Sequence, residues 1–108
     1  TIAAAQLGPI QLDESRESAV SRLVDLLHQS VARGAEFVVF PELAFTTFFP
    51  RWWLEDMAEV EDRFFERSFP SPVTQPLFDA AAEAGVGFTI GFGELAVENG
   101  EQRRFNTS

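Results

Sequence analysis

FVVFPELAFTTFFPRWW, residues 37–53, drives a β-branched and aromatic run into a proline and sets a lone carboxylate, Glu42, just beyond it. Residues 36–40, bounded by Pro41, predict a strand. Immediately upstream, Ala19, Leu23, Leu26, Leu27 and Val31 recur at helical spacing between polar residues, which predicts a helix over 15–33. Asp13 or Ser15 is its candidate N-cap, and Arg33 followed by Gly34 marks its end. Before the helix, residues 2–7 form a short apolar run closed by Gly8-Pro9, as a buried strand would be. Strand, helix and strand in this order predict a parallel pair with a right-handed crossover. The apolar character on both sides of the strands predicts that both sheet faces are covered.

Downstream, residues 53–65 are acidic and amphipathic, suited to one or two short helices, and 69–72 (FPSP) make a turn. A second helix is expected over 74–84, with Leu77, Phe78, Ala80, Ala81 and Ala84 on one side and Gly85 closing it. Residues 86–97 alternate loosely and contain three glycines, which predicts one strand whose backbone lies close to something. Asn99-Gly100 signals a hairpin, with 103–108 as the return strand. The expected class is α/β, a sheet layer with helices on one face.

At 108 residues and 45% apolar, the chain has the size and composition of a single globular domain. A net charge of -9 argues against a nucleic-acid partner, which would require clustered cations. All eight basic residues are arginine. Cysteine is absent, so no disulfide, thiolate metal site or cysteine nucleophile can come from these residues. No apolar run reaches bilayer length, and no signal-peptide pattern opens the chain. A soluble cytoplasmic protein without a membrane partner is the expectation. The chain begins inside a strand-like run, TIAAAQLG, and stops at RRFNTS, so 1–108 is expected to be a single incomplete domain of a longer polypeptide.

Glu42 is the foremost site candidate. A carboxylate at the C-terminal end of a strand in a parallel sheet stands where open α/β folds keep functional groups. Phe40, Phe45, Phe48, Phe49 and Trp52 would desolvate it and raise its pKa toward that of a general base. Capping the next helix or pairing with Arg51 would account for an acid here equally well. Arg51, set among aromatics, suits bidentate recognition of a substrate carboxylate, or else pairs with an acid of 55–62. Glu94, in GFGEL, could converge with Glu42 on one pocket or simply face solvent. The glycines of GFG at 91–93 are better explained by backbone crowding than by a phosphate loop. Thr46 and Thr47 offer hydroxyls with no histidine to activate them. Glu55, Asp56, Glu59, Glu61 and Asp62 suit a helix with a solvated face better than a metal site, and His28 is assigned nothing. Asn106 or Thr107, at the closing FNTS, could approach the site or serve as ordinary strand.

The residues FPELAFTTFFPRW resemble the first catalytic motif of the carbon–nitrogen hydrolase (nitrilase) superfamily, and the extension TTFFPRW is most similar to its N-carbamoyl-D-amino-acid amidohydrolase branch. The likeness runs through AAAQLGPI, ARGAEFVVFPEL, FDAAAEAGVGFTIGFGEL and RRFNTS. It implies the N-terminal part of an α-β-β-α sandwich and a Glu–Lys–Cys triad in which Glu42 is the general base. The substrate would be a small molecule, with Arg51 and Asn106 as candidate contacts, no metal or organic cofactor, and a homo-oligomeric assembly. The triad's lysine and cysteine lie further along the family's chain than FNTS. These 108 residues therefore supply one member of three, and without a second sheet layer they should leave apolar surface exposed. A non-catalytic module of the same fold, or a relative acting on another amide, a ureido acid or a nitrile, would share the FPEL motif.

Overall fold

The computed structural model describes residues 1–108. The chain runs β1 (Ile2–Ala4), α1 (Arg16–Ala32), β2 (Phe37–Val39), a 3-10 turn (Phe49–Arg51), α2 (Met57–Phe64), β3 (Phe65–Glu66), α3 (Gln75–Ala84), β4 (Gly87–Thr89), β5 (Phe92–Glu98) and β6 (Glu101–Thr107). It is α/β, as the sequence predicts.

α1 begins where the Ser15 hydroxyl accepts the Ser18 N–H at 3.1 Å, satisfying one of the helix's orphan donors. It ends as the Arg33 N–H reaches the Ser30 carbonyl and Gly34 turns left-handed at φ 84°. Ala19, Val20, Leu23 and Leu27 are its buried stripe. α3 closes in the same way, with Gly85 at φ 67°, and buries Leu77, Ala80 and Ala81. The two helices pack together on one face of a three-stranded sheet ordered β1-β2-β4, all parallel, with Val38 paired to Ala3 and Phe88. Leu23, Leu27, Val38 and Leu77 lose all their accessible surface in this layer, each burial being worth about 2 kcal/mol.

The other face of this sheet is open. Ile2 is 73% exposed, and Phe37 and Val39 are also exposed, while Val38 between them is fully buried. The prediction that both faces are covered is thus corrected for these residues. The apolar alternation records an environment that the 108 residues do not fill from within.

A second correction concerns residues 86–97. They form two strands in two different sheets. β4 ends the first sheet, and β5 enters a second, ordered β3-β5-β6, in which β3 runs parallel and β6 antiparallel to β5. The chain changes sheets at Ile90-Gly91 because Ile90 and Phe92 are both drawn into the core while Gly91 lies against the turn that carries Glu42. Asn99 (φ 52°) and Gly100 (φ 83°) give the β5–β6 hairpin its two left-handed turn residues. Between the sheets' strands, α2 starts at Asp56, whose carboxylate accepts the Ala58 and Glu59 N–H groups.

Candidate active site

Glu42 stands three residues past β2, beyond the C-terminal end of the parallel strands. Backbone hydrogen bonds hold its turn. The Phe40 N–H donates to the Thr89 carbonyl (2.9 Å), the Gly91 N–H to Pro41 (3.3 Å) and the Ala44 N–H to Gly91 (3.1 Å). Leu43 takes φ 47°, a left-handed conformation that is costly for a branched apolar residue. It persists because Leu43, Ala44 and Phe45 are all buried on the far side of the turn. The strain is spent on one outcome: the three apolar side chains go inward and Glu42 goes outward.

The aromatics therefore do not enclose the acid. Phe40 meets Phe88 edge-on, Phe45 meets Phe69, and Phe49 stacks on Phe64 at 5.1 Å. The Trp52 indole N–H donates to the Thr47 hydroxyl at 3.1 Å, and the Thr46 hydroxyl donates to the Thr47 carbonyl. Both threonine hydroxyls are thus spent on structure. Of these aromatics only Phe48, itself half exposed, borders the shallow hollow of about 180 Å³ that Glu42 shares with Leu7, Pro9 and Ile10. The expected desolvation of Glu42 by its sequence neighbours is corrected, since its side chain is exposed.

Neither alternative role of Glu42 is filled. Its carboxylate makes no hydrogen bond and no ion pair, so it neither caps a helix nor pairs with Arg51. Arg51 has no acidic partner either. Its guanidinium lies over the Trp52 ring at 4.8 Å. Arg51 and Asn106 both lie outside the hollow at Glu42, and Asn106 is exposed on β6 opposite Gly93.

Glu94 borders a different hollow, of about 380 Å³, together with Glu66, Phe69 and Phe92, and accepts a 2.7 Å hydrogen bond from Thr107. The two acids do not converge. The acidic residues of 55–62 are engaged in capping, ion pairs and a hydrogen bond: Glu55 accepts from the Trp53 indole N–H at 3.0 Å, Asp56 caps α2, Glu59 pairs with Arg63 at 3.0 Å, and Asp62 meets Arg67. Glu61 is buried against Arg104 and not on the solvated face the pattern suggests. One feature leaves no trace in the sequence. Arg16, at the start of α1, forms an ion pair with Glu66 at the end of β3, with Glu66 only 4% exposed. Burial holds the Arg16 guanidinium below its ordinary pKa, against the neighbouring charge of Glu17.

The family profile described as carbon-nitrogen hydrolase matches residues 1–108, the whole length of the chain. The chain belongs to the carbon–nitrogen hydrolase family. Among curated relatives, this carbon–nitrogen hydrolase segment is 31% identical over 101 residues to Nitrilase 2 of an unknown prokaryotic organism, a match covering 88% of the chain and 31% of that protein. The segment thus spans about a third of the relative's length. The α/β fold and the carbon–nitrogen hydrolase superfamily expected from FPEL and its flanking order are shown.

Proposed function

We propose that this chain supplies Glu42 as the general base of a carbon–nitrogen hydrolase that releases ammonia from an N-carbamoyl-D-amino acid. The observation that carries the reading is an acid with nothing to do structurally. Glu42 has no hydrogen bond and no ion pair, yet its backbone turn is strained and tied down by three backbone bonds. Strain of this kind gathers where geometry serves chemistry.

The nucleophilic cysteine and the oxyanion-stabilising lysine of such a triad come from polypeptide outside these 108 residues, which contain neither. The Glu42 carboxylate takes the thiol proton as sulfur attacks the carbamoyl carbon, and the lysine donates to the developing oxyanion. The proton passes to the departing ammonia. Water then cleaves the thiocarbamate left on sulfur, again with Glu42 accepting its proton, and the freed carbamate loses carbon dioxide to give the D-amino acid. The surrounding polypeptide closes the hollow and supplies the desolvation that the local aromatics do not. Neither metal nor organic cofactor is needed, and the working enzyme is a cytoplasmic homo-oligomer.

Arg51 is the substrate-carboxylate contact in this reading, and Asn106 a second polar contact. Support for Arg51 comes from its freedom from any acid. Six of the eight arginines are paired with carboxylates, and Arg33 bonds the Gln29 carbonyl. The deciding experiment is ammonia release by the full-length protein carrying Glu42→Gln. Turnover should vanish while folding and substrate binding persist, and continued turnover would refute the assignment. Arg51→Ala should raise KM about 10- to 100-fold, the worth of a lost charged hydrogen bond. Hydrolysis of a nitrile or a plain amide in preference to N-carbamoyl amino acids would keep the base and overturn the substrate.

A further inference from the structure

We propose that Gly91 is a positioning residue for Glu42: its bare Cα lets the β4–β5 junction seat against the backbone of the acid and fix where the carboxylate stands. The proposal rests on the reading of Glu42 as the base.

A Cβ placed on Gly91 would lie 2.7 Å from the Glu42 Cα, and 3.2 Å from both the Glu42 Cβ and the Leu43 nitrogen. Two of these three atoms are backbone and cannot swing aside. Glycine is needed here for space alone, because the backbone of Gly91 is not left-handed. Gly34, Gly85 and Gly100 show the opposite case, with positive φ and nothing within 4 Å of a notional Cβ. The same residue donates to the Pro41 carbonyl and accepts from the Ala44 N–H, so it brackets Glu42 from both sides.

The surroundings decide what would yield to an added methyl group. On one side Ile90 and Phe92 are anchored in the core, and on the other Leu43, Ala44 and Phe45 are buried. Pro41 is exposed but tied to Gly91 through its carbonyl, whereas the Glu42 side chain is exposed and without a partner. The displacement therefore falls on the acid. Moving a catalytic group by about an ångström costs roughly 100-fold in rate.

The test uses the full-length protein, with steady-state ammonia release and thermal melting measured on each variant. Gly91→Ala should lower kcat about 100-fold with KM kept within about threefold, since the proposed substrate contacts lie elsewhere. Gly87→Ala is the control: its Cβ would come within 2.8 Å of an atom, but that atom belongs to the Phe37 ring, remote from Glu42, so kcat should hold even if melting falls. A folded Gly91→Ala enzyme with parental kcat, or rate losses that follow melting losses alike at positions 87 and 91, would overturn the proposal. An active Glu42→Gln enzyme would instead refute the base. Should Gly91→Ala fail to fold, Leu43→Gly loosens the same turn without adding an atom. It should lower kcat about tenfold at constant KM, and an unchanged kcat there would also overturn the proposal.

Discussion

Arg16 and Glu66 offer the sharpest test of how this fold is held together. The pair joins the first residue of α1 to the last residue of β3, with the guanidinium 21% and the carboxylate 4% exposed. The facing Glu66 oxygen has no other hydrogen-bonding partner, so Arg16 is its only compensation. Arg16→Met keeps the length and removes the charge, stranding a buried carboxylate. Loss of one member of a buried pair costs about 3–5 kcal/mol. Glu66→Gln should cost less, about 1–3 kcal/mol, because the amide oxygen can still accept from the buried Arg16 Nη2, which has no other partner. Replacing both, as Arg16→Met with Glu66→Leu, should return the protein to within about 1 kcal/mol of the parent, since neither desolvation penalty is then incurred. Urea unfolding of the full-length protein, followed by circular dichroism, gives these stabilities, and Glu66→Leu alone closes the double-mutant cycle. A single Arg16→Met cost below about 1 kcal/mol, or a double variant weaker than Arg16→Met, would refute the reasoning.

Other outcomes follow from the packing. Phe45→Ala removes a ring that is 2% exposed and meets Phe69 at 5.8 Å, and should cost about 3–5 kcal/mol in the same unfolding assay. Burial pushes the Glu14 carboxyl up, but hydrogen bonds from Arg22, Ser18 and the Gln11 N–H outweigh it, and its pKa lies below the ordinary 4.5. A carboxylate depressed on folding stabilises above the unfolded value and loses that contribution as pH falls through the folded one. Glu14→Gln should therefore be less stable than the parent at neutral pH, with the two converging at acid pH. Gly100→Ala should cost about 1–2 kcal/mol from backbone conformation alone, since nothing crowds its Cβ, and hydrogen exchange should show the loss confined to the β5–β6 hairpin.

Much of this architecture can be read from residues that act locally. Ser15 and Gly34 bound α1, Gly85 ends α3, Pro41 ends β2 and Asn99-Gly100 turns the hairpin, because caps and turns depend on chemistry within a few positions. The division of 86–97 between two sheets is not local. It depends on β3, two residues too short to have a periodicity, and on where Gly91 finds room. The site shows the same divide. FPEL marks Glu42, but a string of aromatics beside an acid does not say which way each side chain points. The left-handed Leu43 makes that choice, sending Phe45 in and Glu42 out. Arg16 and Glu66 lie too far apart in sequence for any pattern to join them.

The hairpin has a consequence of another kind. β6 pairs with β5 on one side only, so its outer rim carries a row of unpaired backbone donors and acceptors, an open template for any extended peptide. Glu101, Arg103 and Arg104 occupy that strand, with Arg104 and Arg103 further drawn into ion pairs with Glu61 and with Glu98 and Glu101. A foreign strand docking there would have to desolvate those charges. Within residues 1–108 the charges of RRFNTS thus guard that edge, and the uncharged FNTS end is where another strand could add at least cost.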